Sequence, residues 1–178
     1  FNISAIDVFD LTAKSIAIIG NSITDGKNST NNAQNRWPDI LSESLQKKHG
    51  VTDVGILNLG IGNNRVTLTG GFGFMARKRF DHDILLQRGV RTVVIFEGVN
   101  DIGATPNNKV EAVTNDLIQS YEEMIRKAKE RNLRVFVGTI SPFKGAGYYS
   151  VSHEAMRQKL NQWIRSQREK VDGILDFD

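Results

Sequence analysis

The chain of 178 residues contains no cysteine. That absence excludes disulfides, thiolate metal sites and cysteine nucleophiles, and it leaves the redox character of the surroundings undetermined. Also missing is any apolar run near the roughly 20 residues that a membrane-crossing helix requires. No sign of charge dominates, because 23 lysines and arginines face 20 acidic residues for a net charge of +3. The basic residues of 126–129 and 165–170 are interspersed with Glu122, Glu123, Glu130 and Glu169. Such mixing describes solvated helix faces better than a nucleic-acid footprint. There is no internal repeat, no low-complexity tract and no Gly-Lys-Ser/Thr phosphate loop. Arg65 also stands where a dinucleotide fingerprint starting at Gly60-Ile61-Gly62 needs its third glycine, which argues against a nucleotide-binding domain.

The first ten residues lack an initiator methionine, a basic stretch and the long apolar segment of a signal peptide. Their partial alternation of apolar and polar residues reads as a strand. Residues 1–12 are therefore expected to be a lead-in, the end of an upstream β-domain in a chain that begins mid-protein. Residues 13–178 are expected to form one domain, a length that suffices to bury a substantial core.

Within that domain, short β-branched runs alternate with longer segments of helical period, the signature of a parallel sheet covered by helices. The predicted strands are 15–19, 55–59, 92–96, 134–139 and 173–177. Trp37, Ile40, Leu41 and Leu45 fall on one helical face, with Pro38 suited to a first turn. Leu117, Tyr121, Met124, Ile125 and Ala128 form a second such face, and Met156, Leu160, Trp163 and Ile164 a third. These stripes are read as core. The glycine-rich stretch 70–74 reads as the most mobile part. Five strands in βα order predict a flavodoxin-like three-layer α/β sandwich with helices on both faces and strand order 2-1-3-4-5. Its ligand crevice lies beyond the carboxyl ends of the strands, where strands 1 and 3 diverge.

Three polar turns follow the first three strands: Gly20-Asn21-Ser22-Ile23-Thr24-Asp25-Gly26, Gly60-Ile61-Gly62-Asn63-Asn64-Arg65 and Glu97-Gly98-Val99-Asn100-Asp101. The topology gathers all three at that crevice. A serine hydroxyl attacks only when a base takes its proton and donors await the oxyanion. Ser22 is the candidate nucleophile. Its own N–H, an N–H from Gly62 or Asn63 and the Asn100 side-chain amide are the candidate oxyanion donors. Asn63 would need a backbone conformation easy for glycine and tolerated by asparagine. Asn21, Asp25, Asn64, Arg65 and Asp101, which flank these groups, are the candidates for contacting substrate. Each motif taken singly also has a plain reading, Gly-Asn-Ser as a turn, Asn100-Asp101 as a helix cap and Gly60-Ile61-Gly62 as a tight turn.

The same residues resemble the SGNH (GDSL-type) hydrolases, a family of serine esterases and lipases. Residues 20–26 are similar to the family's first block, usually Gly-Asp-Ser, with Asn21 in place of aspartate. Residues 60–65 are similar to the second, and residues 98–101 to the third, whose asparagine lines the oxyanion hole. The resemblance runs from about Ala13 to the C-terminus and includes Asn35-Arg36-Trp37-Pro38-Asp39. It implies hydrolysis of acyl esters through an acyl-enzyme, with no metal and no organic cofactor. It also implies a small-molecule or glycan ester substrate, often a carbohydrate O-acetyl group, and a secreted location.

One element of that family pattern is absent. The resemblance implies a last block, Asp-x-x-His, whose histidine is the general base. Here His49, His82 and His153 are preceded at that spacing by Gln46, Arg79 and Ser150. His82 reads as a surface or capping residue, His49 as the close of a helix, and His153 as the only stand-in. The expectation is an esterase whose base lies outside this chain. The alternative is a degenerate SGNH fold that binds a carbohydrate or a partner without catalysis.

Overall fold

The computed structural model describes residues 9, 10 and 12–178. The strand expected at the N-terminus falls almost wholly outside the described residues. From Lys14 onward the chain alternates strand and helix. The strands are β1 (Lys14–Gly20), β2 (Val54–Gly60), β3 (Val90–Phe96), β4 (Arg134–Gly138) and β5 (Gly173–Leu175). The helices are α1 (Ser22–Asp25), α2 (Trp37–His49), α3 (Ala76–Phe80), α4 (Val99–Ala104), α5 (Val110–Glu130) and α6 (Val151–Ser166). All five strands pair in parallel in the order β2-β1-β3-β4-β5.

Both faces of the sheet are covered, which is why its strands read as continuous β-branched runs. On one face Ala17, Ile19, Val93, Ile95, Val135 and Val137 pack into the same core as Leu117, Tyr121 and Met124 of α5 and Met156, Leu160 and Ile164 of α6. The period of two puts Ile18, Val94 and Phe96 on the other face, where they too are buried. There the Phe96 ring meets Trp37 edge-on, with centroids 6.4 Å apart, and Phe177 at 4.9 Å. Each fully buried Ile, Leu or Phe side chain contributes about 1.5–3 kcal/mol of transfer free energy, so the α5 and α6 stripes carry much of the stability.

The stripes of α5 and α6 are buried as the spacing predicts, with Trp163 half-buried. Helix α2 departs from its expected face. Only Pro38 is fully buried, and Ile40 is 48% exposed, because α2 rests on the edge strand β2 and has no helix on its outer side. Strand β5 is also shorter than predicted. Its last residues leave the ladder, and Thr139 Oγ1 accepts from the Phe177 N–H at 2.8 Å instead.

Candidate active site

The three polar turns emerge at the same end of the sheet. Gly20 of β1 lies opposite Gly60 of β2 on one side and Phe96 of β3 on the other, so residues 21, 61 and 97 leave the sheet level with one another. Two glycines let α1 settle against this edge. A side chain at Gly20 would overlap Thr24, and one at Gly60 would overlap the backbone of Thr24 and Asp25. Ser22 opens α1 directly after the cap residue Asn21, whose Oδ1 accepts from the Ile23 N–H at 3.0 Å. Ser22 is half-buried, and its hydroxyl has no hydrogen-bond partner among the described residues.

Asn63 adopts a left-handed φ of 54°, the conformation glycine would supply without strain. It sits in a turn closed by the bond from the Asn64 N–H to the Ile61 carbonyl at 3.1 Å. Among the described residues the N–H groups of Ser22, Gly62 and Asn63 donate to no protein acceptor. The amide of Asn100 is held at two points. Its Nδ2 donates to the Asn64 carbonyl at 2.8 Å, and its Oδ1 accepts from the Tyr148 hydroxyl at 3.1 Å. An amide has two N–H donors, so one remains free of these contacts.

Beneath these groups lies a buried polar network. Asp101 has no exposed surface and accepts from the N–H groups of Val66, Thr67 and Leu68 at 2.7–3.0 Å and from the Thr67 hydroxyl at 3.0 Å. Burial pushes its carboxyl up from the ordinary aspartate value, against the pull of these donors. Asn64 is buried, and its Nδ2 donates to the carbonyls of Phe72 and Phe74 at 2.7 and 2.9 Å. Arg79, 5% exposed, donates to Asn64 Oδ1, to the carbonyls of Leu59 and Gly20 and to Asp83. One guanidinium thus ties the carboxyl ends of β1 and β2 to the second turn.

Several expectations are corrected by this arrangement. Asn21, Asn64 and Asp101, candidates for touching substrate, are buried with their side chains engaged in internal bonds, while Asn21 and Asn64 also line the clefts. Asp25 stays exposed and Arg65 half-buried, both at the rim. The 70–74 stretch is tied down at the carbonyls of Phe72 and Phe74, because a buried amide needs acceptors. His153, the stand-in that the sequence offers, forms no hydrogen bond with Ser22 among the described residues. Its Nδ1 lies 2.6 Å from the Tyr148 carbonyl and its Nε2 2.9 Å from the Thr105 carbonyl; a neutral ring can donate to one of these acceptors at a time, so the ring bridges the loop before α6 and the end of α4. His82 is exposed beside Asp83, and His49 closes α2. Glu97, Arg79 and Tyr148 were missed by sequence reasoning. A carboxylate directly after the apolar run of β3 was the signal available for Glu97. Nothing local marks the other two.

Three clefts border the turns: one, of about 360 Å³, runs along Asp25, Gly26, Lys27 and Arg36, and the other two are smaller. One, of about 80 Å³, is lined by both chain neighbours of Ser22, Asn21 and Ile23, together with Phe96, Val99, Ile140 and Phe143. The other, of about 170 Å³, is formed by Asn64, Arg65, Leu68 and the 69–75 loop, where Phe72 and Phe74 are 64% and 78% exposed. Among the described residues no cluster of His, Asp or Glu is arranged to hold a metal ion, and no helix is long and apolar enough to cross a membrane.

The family model described as GDSL-like Lipase/Acylhydrolase matches residues 18–178. No curated protein matches the chain in sequence. Among solved structures, AlinE4, described as an SGNH-hydrolase family esterase, is 16% identical with a TM-score of 0.66, over 92% of this chain and 75% of that one. The acetyl xylan esterase AlAXEase is 19% identical with a TM-score of 0.69, over 92% and 77%. A GDSL-like lipase from Bacteroides thetaiotaomicron is 18% identical with a TM-score of 0.61, over 92% and 68%. At these identities the likeness is one of fold.

Proposed function

Since the chain belongs to the GDSL-like lipase/acylhydrolase family and is a carboxylic ester hydrolase, we propose that it cleaves short acyl esters through an acyl-enzyme on Ser22. The observation that carries this reading is the set of unspent donors around the Ser22 turn, the N–H groups of Ser22, Gly62 and Asn63 and one N–H of Asn100. Ser22 Oγ attacks the ester carbonyl as its proton passes to a base. The carbonyl oxygen becomes an oxyanion and accepts from those donors. Collapse expels the alcohol, which takes up a proton, and water then releases the acid by the same route.

The base is proposed to lie outside residues 1–178. None of the three histidines forms a hydrogen bond with Ser22 among the described residues. Without a base, turnover in serine hydrolases falls by about 10⁶. The same observation favours a second reading, a fold that retains its crevice for binding alone.

The substrate proposed is an acyl ester of a carbohydrate, with acetyl as the acyl group. The cleft at Asn21 and Ile23, of about 80 Å³, suits a small acyl group. Exposed aromatic faces held on a pinned loop suit the apolar face of a sugar ring, and Phe72 and Phe74 stand beside the Gly62-Asn63 turn. The test is hydrolysis of a short-chain aryl acetate by the full-length protein and its Ser22→Ala variant. Loss of turnover in the variant is expected, and equal rates would sink the proposal. Release of acetate from acetylated xylan, set against long-chain triglycerides and lysophospholipids, tests the substrate class.

A further inference from the structure

Glu97 closes the apolar strand β3 and stands between the turns that carry Ser22 and Asn100. Its side chain has no exposed surface. A single oxygen, Oε2, accepts from Asn21 Nδ2 at 3.3 Å and from the Gly98 N–H at 3.2 Å. Asn21 is the cap of α1, and Gly98, at a φ of 106°, is the residue from which α4 springs. One carboxyl oxygen therefore joins the residue before Ser22 to the start of the helix that presents Asn100. The Glu97 carbonyl is itself fixed by the Tyr121 hydroxyl at 2.7 Å. The other oxygen, Oε1, has no hydrogen-bond partner among the described residues. Its nearest cation, Arg79, is 4.0 Å away and already paired with Asp83 at 2.8 Å.

A buried charge with a free oxygen is costly, and the ester-cleaving steps use no group at this place. We infer that Glu97 is a positioning residue, a neutral carboxyl that clamps the Ser22 turn to the start of α4 so that the hydroxyl and the Asn100 amide keep their relative placement. The catalytic consequence rests on the esterase reading; the clamp does not. Burial pushes the Glu97 carboxyl up to about 8, and the buried Asp101 carboxylate adds to the effect. Arg79, the Gly98 N–H and the Asn21 amide pull the other way.

The ionisable groups facing it are Asp101 on α4, Arg79 on α3 and Tyr121 on α5, whose phenol burial drives well above its ordinary value. A glutamate raised above its ordinary value of 4.5 holds its proton through neutrality. Its contribution to stability is complete below that value and is lost as pH climbs through about 8, where a charge forms beneath the Ser22 turn.

Two variants test the inference, with Ser22→Ala as control. Glu97→Gln keeps an acceptor for Asn21 and Gly98 and cannot ionise. In the full-length protein acting on an aryl acetate it is expected to keep kcat within about threefold at pH 7 and to lack the alkaline decline expected of wild type near pH 8. Glu97→Leu removes the acceptor and is expected to lower kcat about 10- to 100-fold with KM little changed. Thermal unfolding between pH 6 and 9 reads the clamp without catalysis: wild type should lose Tm and Glu97→Gln should not. A Glu97→Gln variant that keeps the wild-type alkaline loss in both kcat and Tm overturns the inference, as does a folded Glu97→Leu with wild-type kcat. Should Glu97→Leu fail to fold, the Glu97→Gln profiles decide. If Ser22→Ala retains full activity the esterase reading fails, and the Tm comparison alone then judges Glu97.

Discussion

The end of the sheet around β1, β2 and β3 is built unlike the end around β4 and β5. On the first side four buried polar residues, Asn64, Arg79, Glu97 and Asp101, bond largely to main chain and hold three turns in register. On the second side the loop of residues 141–150 runs over the surface, held by Phe143 against the core and, near its end, by Tyr148 and His153. Strand β5 contributes three ladder residues there, and Asp176 and Asp178 reach out to Arg157 and Arg165. Main-chain bonds inside the core cost nothing further to orient when a substrate arrives, so the donor side of the crevice is ready before binding. The loop side is held by fewer such bonds.

The largest expected effect on this contrast comes from the buried guanidinium. Arg79→Ala leaves the carbonyls of Gly20 and Leu59 and the Asn64 amide oxygen without their donor, and Asp83 without its partner. A loss of about 3–5 kcal/mol is expected in urea unfolding. A loss below 1 kcal/mol would mean that the donor side does not depend on this network. Next is Asn100→Ala, expected to lower kcat by about 10²–10³, a larger effect on turnover than the roughly 0.5–1.5 kcal/mol of stability that each of its two bonds supplies. That outcome would separate the amide's chemistry from its packing. The smallest effect is expected from the loop side. His153→Ala removes the one hydrogen bond that a neutral ring can donate to the Tyr148 or Thr105 carbonyl, for which about 0.5–1.5 kcal/mol is ordinary, and should leave esterase turnover within about twofold. A collapse of turnover in that variant would make His153 the base and reverse the contrast.

The five strands were legible because β-branched runs and helical stripes are local patterns, and the order 2-1-3-4-5 is a natural solution for five strands in βα order. The three turns were legible because Gly, Asn and Ser cluster after strands. What escaped was the layer underneath. Arg79 sits among Arg77 and Lys78 in a stretch that reads as a solvated basic helix, and only its contacts with β1 and β2 distinguish it. Asp101 and Asn64 were assigned to the substrate because polar residues beside a crevice suggest contact with ligand. Their inward turn depends on main-chain donors and acceptors that the fold supplies from distant segments. The run 81–85 continues α3 as a π-helical turn, and no spacing in the sequence marks it.

The seating of α1 against Gly20 and Gly60 bears on how far this protein can be varied in the laboratory. A saturation library at these two positions should return glycine almost alone, although neither is proposed to touch the ester. Depletion there would map where helix and strand lie backbone to backbone, so sequence selection by itself would mistake an architectural fit for participation in the reaction.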